Sequence, residues 1–391
     1  MPHIITNQFN PPKFPIEIKG IIYHFFAQNI NYSDDFLCKV TIEDKNFYLQ
    51  IKQKDDNRYM IKAEKYTRIS PKILLHKAIY YISEYLNTPI LFSNLSLKEN
   101  PHIQENDYLK DINYFINNHK FDKEHHIEVG FGSGRHLLYQ AKQNPNIQFI
   151  GLEIHKPSIE QVQKQIKIQN LDNLLIIDYD ARLFLEFVPS NIVGKIYVHF
   201  PVPWDKKPHR RVIKISFVQE ALRVLKVNGA LEVRTDSENY FTSTVDTFLK
   251  LNQTSIKINK NLNNAISSKY EDRWVKQQKN IYDIILTSLI NSDNIEVYND
   301  FSFPKKKIDI ESLKIKLKEK QIYEDSFINI DKIYQVDDNH FIISISMGSF
   351  EQNEHLYIES KDTKTDYFPT LPIPSKINTK LHQNLKGLLY G

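Results

Sequence analysis

The sequence has a single cysteine, Cys38, and only 10 glycines in 391 residues. One cysteine excludes an internal disulfide framework and a cysteine-based zinc site, and makes a reducing cytoplasm the natural compartment. No metal centre is expected. No apolar run approaches the ~20 residues of a membrane-spanning helix. The first residues, Met1-Pro2-His3-Ile4-Ile5-Thr6-Asn7, lack the basic segment and apolar core of a signal peptide. An excess of one charge is also missing. The net charge of +4 permits nucleic-acid binding without indicating it, so a local basic patch would have to carry such a role. What is present, 41% hydrophobic and 25% charged residues, suits a folded soluble protein. The length allows roughly two to three domains at ~150 residues each.

Scarce glycine makes its clustering informative. Ile127 to Gly134 reads Ile-Glu-Val-Gly-Phe-Gly-Ser-Gly. Apolar residues beside Glu128 predict a short buried strand, the glycines a tight turn, and Arg135 onward a helix. Such a turn lets a ligand approach bare backbone N–H groups at Gly130 and Gly132. The spacing is G-x-G-x-G rather than the G-x-G-x-x-G of dinucleotide binders, which disfavours an NAD dehydrogenase. Glu128 suits a cationic or hydroxyl-bearing ligand rather than a pyrophosphate. That favours an amino-acid-bearing nucleoside such as S-adenosylmethionine; a plain glycine turn is the alternative.

Residues 1–100 read as a separate α+β unit with strands at Ile16–Phe26, Phe36–Ile42, Phe47–Ile51 and Tyr59–Tyr66. A helix is expected after Ser70-Pro71, a capping serine and a first-turn proline, with Leu74, Leu75, Ala78, Ile79, Ile82 and Leu86 on one face. Tyr80, Tyr81 and His76 read as packing or surface residues. Residues 101–290 alternate strands and helices, which predicts a doubly wound, Rossmann-like, mostly parallel sheet. Residues 291–391 form a C-terminal accessory unit. It holds a lysine-rich amphipathic segment from Lys305-Lys306-Lys307, strands at Phe341–Ser346 and His355–Ile358, and a Pro-rich stretch, Phe368–Pro374, read as a linker or lid. A weak echo (strand, polar turn, proline, amphipathic helix) links residues 59–86 with 355–389.

In the middle unit, acids recur where strands end: Glu153, Asp180 and Asp236. Open α/β sheets bind ligands at that edge. Glu153, about 20 residues beyond the glycine turn, can accept both ribose hydroxyls of a nucleoside. Asp180, before the small Ala181, can accept from an adenine amino group; Asp178 competes for this role. The segment Phe200-Pro201-Val202-Pro203-Trp204-Asp205-Lys206-Lys207-Pro208-His209-Arg210-Arg211 follows the fourth strand. Its prolines stiffen it. Trp204 can stack on a base, and Lys206, Lys207, Arg210 and Arg211 can contact phosphates. A buried tryptophan under a solvated basic loop is the structural alternative. Ser268 and Glu271 read as a capping box.

With these segments in place, residues 126–284 resemble the bacterial tRNA (guanine-N7-)-methyltransferase family. The resemblance rests on Glu128–Gly134, Gly151-Leu152-Glu153-Ile154-His155, Asp180-Ala181, Pro201-Val202-Pro203-Trp204, Arg234-Thr235-Asp236 and Ser268-Lys269-Tyr270-Glu271. The first motif is common to many S-adenosylmethionine enzymes; the Pro-x-Pro-Trp loop followed by Thr-Asp and Ser-Lys-Tyr-Glu is far more specific. It implies a class I methyltransferase acting on N7 of the guanine at position 46, in the variable loop of tRNA. It further implies that Glu128, Gly130, Gly132, Glu153 and Asp180 bind S-adenosylmethionine. Lys206, Asp236, Ser268 and Glu271 would face the target guanosine or nearby tRNA, with Asp236 the candidate catalytic residue. The family usually carries aspartate where Val202 stands, and the two flanking units have no counterpart in its short members. Guanine N7 has an in-plane lone pair and no proton, so the reaction requires proximity and alignment rather than a base. Two other functions remain open on the sequence: a methyltransferase with another RNA, protein or small-molecule acceptor, and a non-catalytic RNA-binding relative.

Overall fold

The computed structural model describes the whole chain except residues 55–57, 68, 70, 98–106, 263–278, 296–299, 318 and 351–352. It divides into two compact units, Glu105–Val297 and a second made of Met1–Gln104 with Tyr298–Gly391. The sequence suggests separate terminal units; in the structure the two ends of the chain share one sheet.

The N-terminal segment runs β1 (His3–Thr6), β2 (Ile16–Ile18), β3 (Ile21–Asn29), β4 (Asp35–Ile42), β5 (Lys45–Gln53), β6 (Tyr59–Ala63), α1 (Lys72–Tyr85) and β7 (Ile90–Ser93). The strand expected over Ile16–Phe26 is a hairpin, because Lys19 and Gly20 both take positive φ, 51° and 77°, and turn the chain. Helix α1 starts one residue later than expected, with Pro71 as its N-cap.

The middle unit comprises α2 (Ile112–Asn117), β8 (His125–Val129), α3 (Arg135–Gln143), β9 (Gln148–Leu152), α4 (Lys156–Gln169), β10 (Leu174–Ile177), α5 (Ala181–Leu185), β11 (Val193–His199), α6 (Ile215–Val224), β12 (Leu225–Thr235), α7 (Glu238–Phe248), β13 (Ser255–Lys260) and β14 (Tyr282–Thr287). Its strands lie in the order β10-β9-β8-β11-β12-β14-β13. The first five are parallel, and β14 runs antiparallel between β12 and β13. Strands β8 and β9 are buried along their whole length, as strands covered on both faces must be. The order of the strands reverses between β8 and β11, the kind of point at which open α/β sheets bind ligands beside the carboxyl ends of their strands.

The C-terminal segment comprises α8 (Ile310–Ile315), β15 (Gln321–Ile322), β16 (Ser326–Asp337), β17 (His340–Ser349), β18 (Asn353–Lys361), β19 (Lys364–Phe368) and α9 (Lys376–Tyr390). Together the two terminal segments build a 12-stranded sheet in which β3 pairs antiparallel with β16. The run β2-β3-β4-β5-β6-α1 recurs as β15-β16-β17-β18-β19-α9. Even an irregularity repeats. In β3–β4 the register slips between the pairs Tyr23↔Val40 and Phe25↔Lys39; in β16–β17 it slips between Ile330↔Ile345 and Lys332↔Ser344. The same step along the chain carries Gln28 onto Gln335, and these two residues face each other across the β3–β16 seam. The halves are therefore related by a local two-fold axis at the seam. Each half packs its own helix on a separate apolar core, α1 through Leu75 and Ile79, α9 through Leu381 and Leu385. A third cluster, with Tyr48, Tyr334, Tyr357 and Phe368, joins the halves. The stretch expected to be a linker or lid is packed at its ends: Phe368 and Pro372–Pro374 are buried, Pro369 and Leu371 are exposed, and the Ile373 N–H donates to Glu354 Oε2. Lys305, Lys306 and Lys307 are exposed.

Candidate active site

The glycine turn leaves β8 and enters α3 with Gly130, Gly132 and Gly134 all at positive φ (70°, 51° and 70°), a region that other L-residues rarely adopt. The three differ in their surroundings. A Cβ on Gly134 would lie 2.3 Å from Val162 Cγ2, so this glycine lets α3 pack on α4. A Cβ on Gly130 would meet nothing within 4 Å, and one on Gly132 would meet only the Gly130 carbonyl at 4.0 Å. The space over Gly130 and Gly132 is open, but their N–H groups are not the bare donors expected: that of Gly130 donates to the Leu152 carbonyl at 2.7 Å and that of Gly132 to Glu153.

Glu153, just past the end of β9, ties that turn in place. Its Oε2 accepts from the Gly132 N–H at 2.9 Å, and its Oε1 from the N–H groups of Ile154 and His155 at 2.8 and 2.9 Å. A carboxylate offers about four acceptor positions, so roughly one remains, on Oε2. Asp180 caps α5, accepting from the Arg182 N–H at 3.0 Å, and also holds the Arg182 guanidinium at 2.6 Å. Asp178 lies 3.7 Å from Lys156. Burial, and the nearby Glu153 charge, raise its carboxyl above the ordinary value, against the pull of Lys156.

Glu128 is 4% exposed and accepts from His136 Nδ1 at 2.7 Å, an intramolecular partner that the sequence reading did not foresee. Its other oxygen makes no hydrogen bond among the described residues. Burial would lower the His136 pKa, but the Glu128 charge and hydrogen bond outweigh it and raise the value. His199, with its ring centroid 4.4 Å from that of His136, is driven the other way, well below the usual range, by burial and by the positive His136 and Arg234. A cavity of about 190 Å³ lies beside this pair, lined in part by His136, Tyr139, His199, Glu232, Arg234 and Asp283. Arg234 is 2% exposed and its Nη1 donates to Asp283 Oδ1 at 2.6 Å. Position 136 had a readable signal: it falls in the first turn of the helix that follows the glycines, on the side facing the strand.

Asp236 directly follows β12 and accepts from Lys279 Nζ at 2.9 Å. Residues Phe200 and Trp204 take positive φ, 49° and 47°, so the proline-rich loop holds a specific conformation. Lys206 and Lys207 are exposed, and Val202 is 61% exposed at the tip. The Arg210 guanidinium lies 5.1 Å from the Trp204 ring centroid. Arg211 departs from the expected phosphate contact. It is 8% exposed, because its guanidinium is occupied within the fold. Ser268 and Glu271 lie outside the described residues. No cluster of three metal-ligating side chains occurs among the described residues, and no helix among them is long and apolar enough to cross a membrane.

The strand order, the glycine turn after the first parallel strand and the acid after the second define a class I methyltransferase fold. A family described as "Putative methyltransferase" matches residues 122–284. The chain is 40% identical to a tRNA (guanine-N(7)-)-methyltransferase of Wolinella succinogenes over 393 aligned residues, covering 100% of both chains. It is 38% identical to one of Campylobacter jejuni, covering 100% of this chain and 98% of the relative. An rRNA methylase from Streptococcus thermophilus of known structure covers 43% of this chain, and 89% of its own, at 12% identity and a TM-score of 0.32. The chain belongs to the tRNA (guanine-N(7)-)-methyltransferase family.

Proposed function

We propose that the protein transfers a methyl group from S-adenosylmethionine to N7 of guanine in tRNA, at position 46 of the variable loop. Similarity to tRNA (guanine-N(7)-)-methyltransferases along the whole chain, terminal units included, is the observation that carries this reading. The open space over Gly130 and Gly132 fits the cofactor. The unoccupied Glu128 oxygen suits its ammonium group, the spare acceptor position on Glu153 a ribose hydroxyl, and Asp180 the adenine amino group. When bound, S-adenosylmethionine supplies an electrophilic methyl group on sulfonium.

The protein's own residues then have three tasks. Lys206 and Arg210 hold tRNA phosphate, and Trp204 offers a flat face for a base. The stiff Pro201–Pro203 turn fixes the approach of the guanine, which is worth more than a base because N7 carries no proton. Asp236 places negative charge at the substrate edge, where it offsets the positive charge that the ring gains. Val202 cannot accept a proton or a hydrogen bond, and the chemistry asks for neither.

The test is incubation with labelled S-adenosylmethionine and unmodified tRNA, followed by borohydride–aniline cleavage to map N7-methylguanine. Label at position 46 is expected. Label in tRNA without cleavage there, or no label from protein that binds the cofactor, would sink this assignment.

A further inference from the structure

Adjacent arginines at 210 and 211 end the proline-rich loop, and a sequence reading makes both of them phosphate contacts. The structure separates them. Arg210 is exposed, with its guanidinium toward the Trp204 ring. Arg211 is buried, and its donors point into the protein. Its Nε donates to the Pro203 carbonyl at 2.8 Å, its Nη1 to the Asn239 carbonyl at 3.5 Å, and its Nη2 to Asp205 Oδ1 at 3.3 Å. The guanidinium also sits 5.4 Å from the ring centroid of Tyr240. Asp205 accepts in addition from Asn239 Nδ2 at 3.5 Å.

These partners lie on two different elements. Pro203 and Asp205 flank Trp204 in the loop, whereas Asn239 and Tyr240 stand in the first turn of α7, which begins two residues after Asp236. One planar fork therefore links the base-facing loop to the segment that carries the candidate catalytic acid. The link has a job to do. Trp204 sits at a φ of 47°, a conformation that neighbouring contacts must maintain. A guanidinium can do so because it has five donors in fixed directions; an ammonium has no such planar fork.

We propose that Arg211 is a positioning residue for methyl transfer, holding Trp204 and Asp236 in register rather than touching tRNA. This rests on the methyltransferase reading above. The test uses full-length Arg211→Lys and Arg211→Ala proteins, each also made in a Trp274→Phe background so that Trp204 is the sole tryptophan emitter. Both variants are expected to lose about tenfold to a hundredfold in kcat, the scale of a small misplacement near the reacting atoms. KM for tRNA should stay within about threefold, and the salt dependence of tRNA binding and the cofactor affinity should not change. Trp204 should become more accessible to acrylamide in both variants without tRNA or cofactor present. Retained activity in Arg211→Lys, together with raised KM and a shallower salt slope in Arg211→Ala, would make Arg211 a phosphate contact and overturn the proposal. Unchanged kcat and unchanged quenching in both variants would overturn it as well. The quenching arm does not depend on the acceptor, so absence of tRNA methylation in the parent protein would count against the assigned reaction and leave the brace independently measured. If Arg211→Ala fails to fold, Arg211→Lys carries the decision.

Discussion

The two units place their carboxylates differently. In the terminal sheet, carboxylates are consumed by the fold. Asp35, 2% exposed, accepts from Gln50 at 2.6 Å and from the Tyr334 hydroxyl at 3.1 Å, and pairs with Lys332. Glu64 accepts from the N–H groups of Tyr66 and Thr67. Glu354 accepts from Ile373 and Asn378, fixing the approach to α9. In the methyltransferase unit, Glu153, Asp180 and Asp236 are only partly buried, and each stands at a strand's carboxyl end. The first set is engaged within the fold; in the second, Arg182 holds Asp180, Lys279 holds Asp236, and Glu153 keeps about one acceptor position.

The largest expected effect lies in the terminal sheet. Burial above all pushes the Glu354 carboxyl up to about 7 from an ordinary value of 4.5, against the hydrogen bonds from Ile373 and Asn378. The folded chain then keeps a proton that the unfolded chain releases. Stability from this group is fully present below about pH 4.5 and is lost as pH rises through about 7. The span corresponds to roughly 3 kcal/mol. Glu354→Gln should remove that decline in urea unfolding compared at pH 5 and pH 8; an identical pH slope in both proteins would show that this acid is not consumed by the fold as described.

Next comes the contrasting edge acid. Glu153→Ala should weaken S-adenosylmethionine binding by about 30-fold, roughly 2 kcal/mol for lost hydrogen bonds to a charged group, as read by calorimetry. Its unfolding curve should shift as well, because the Gly132, Ile154 and His155 N–H groups lose their acceptor. Unchanged affinity would remove Glu153 from the cofactor site. The smallest effect belongs to an exposed cation. Lys206→Ala should weaken tRNA binding a few-fold and make the salt slope shallower by about one phosphate. Cofactor affinity should not change, and an unaltered salt slope would exclude a phosphate contact.

Much of the methyltransferase unit was legible because its signals are local and periodic. The glycine turn, the acids near strand ends and the helix beginning at Lys156-Pro157 each occupy a few adjacent residues. Strands β13 and β14 escaped notice, although Ser255-Ile256-Lys257-Ile258-Asn259-Lys260 alternates polar and apolar residues as an exposed strand does. Arg210 and Arg211 are chemically identical neighbours, and only the packing of Tyr240 and the Pro203 carbonyl decides which of them turns inward. Glu128 was found as a motif residue, whereas its partner His136 was signalled only by its place in the first turn of α3. In the terminal unit, strands and helices could be read singly; the weak echo between residues 59–86 and 355–389 was not read as a repeat, and it set Tyr59–Tyr66 beside β18 rather than β19. The pairing of β3 with β16 was not legible, because it joins segments on opposite sides of an intervening domain and leaves no trace in either local pattern.

That seam sets an order on biosynthesis. The methyltransferase unit is one continuous stretch, so it can close as soon as its own residues have left the ribosome. Strand β3 must wait for β16, which is made only after that whole unit. Until then the first half of the terminal sheet displays an unpaired strand edge, with Phe25 and Ala27 awaiting the cover that residues from the other half provide. The nascent chain thus spends much of its synthesis as a finished methyltransferase unit preceded by half of a symmetric body, vulnerable at one strand edge to pairing with a neighbouring chain's copy.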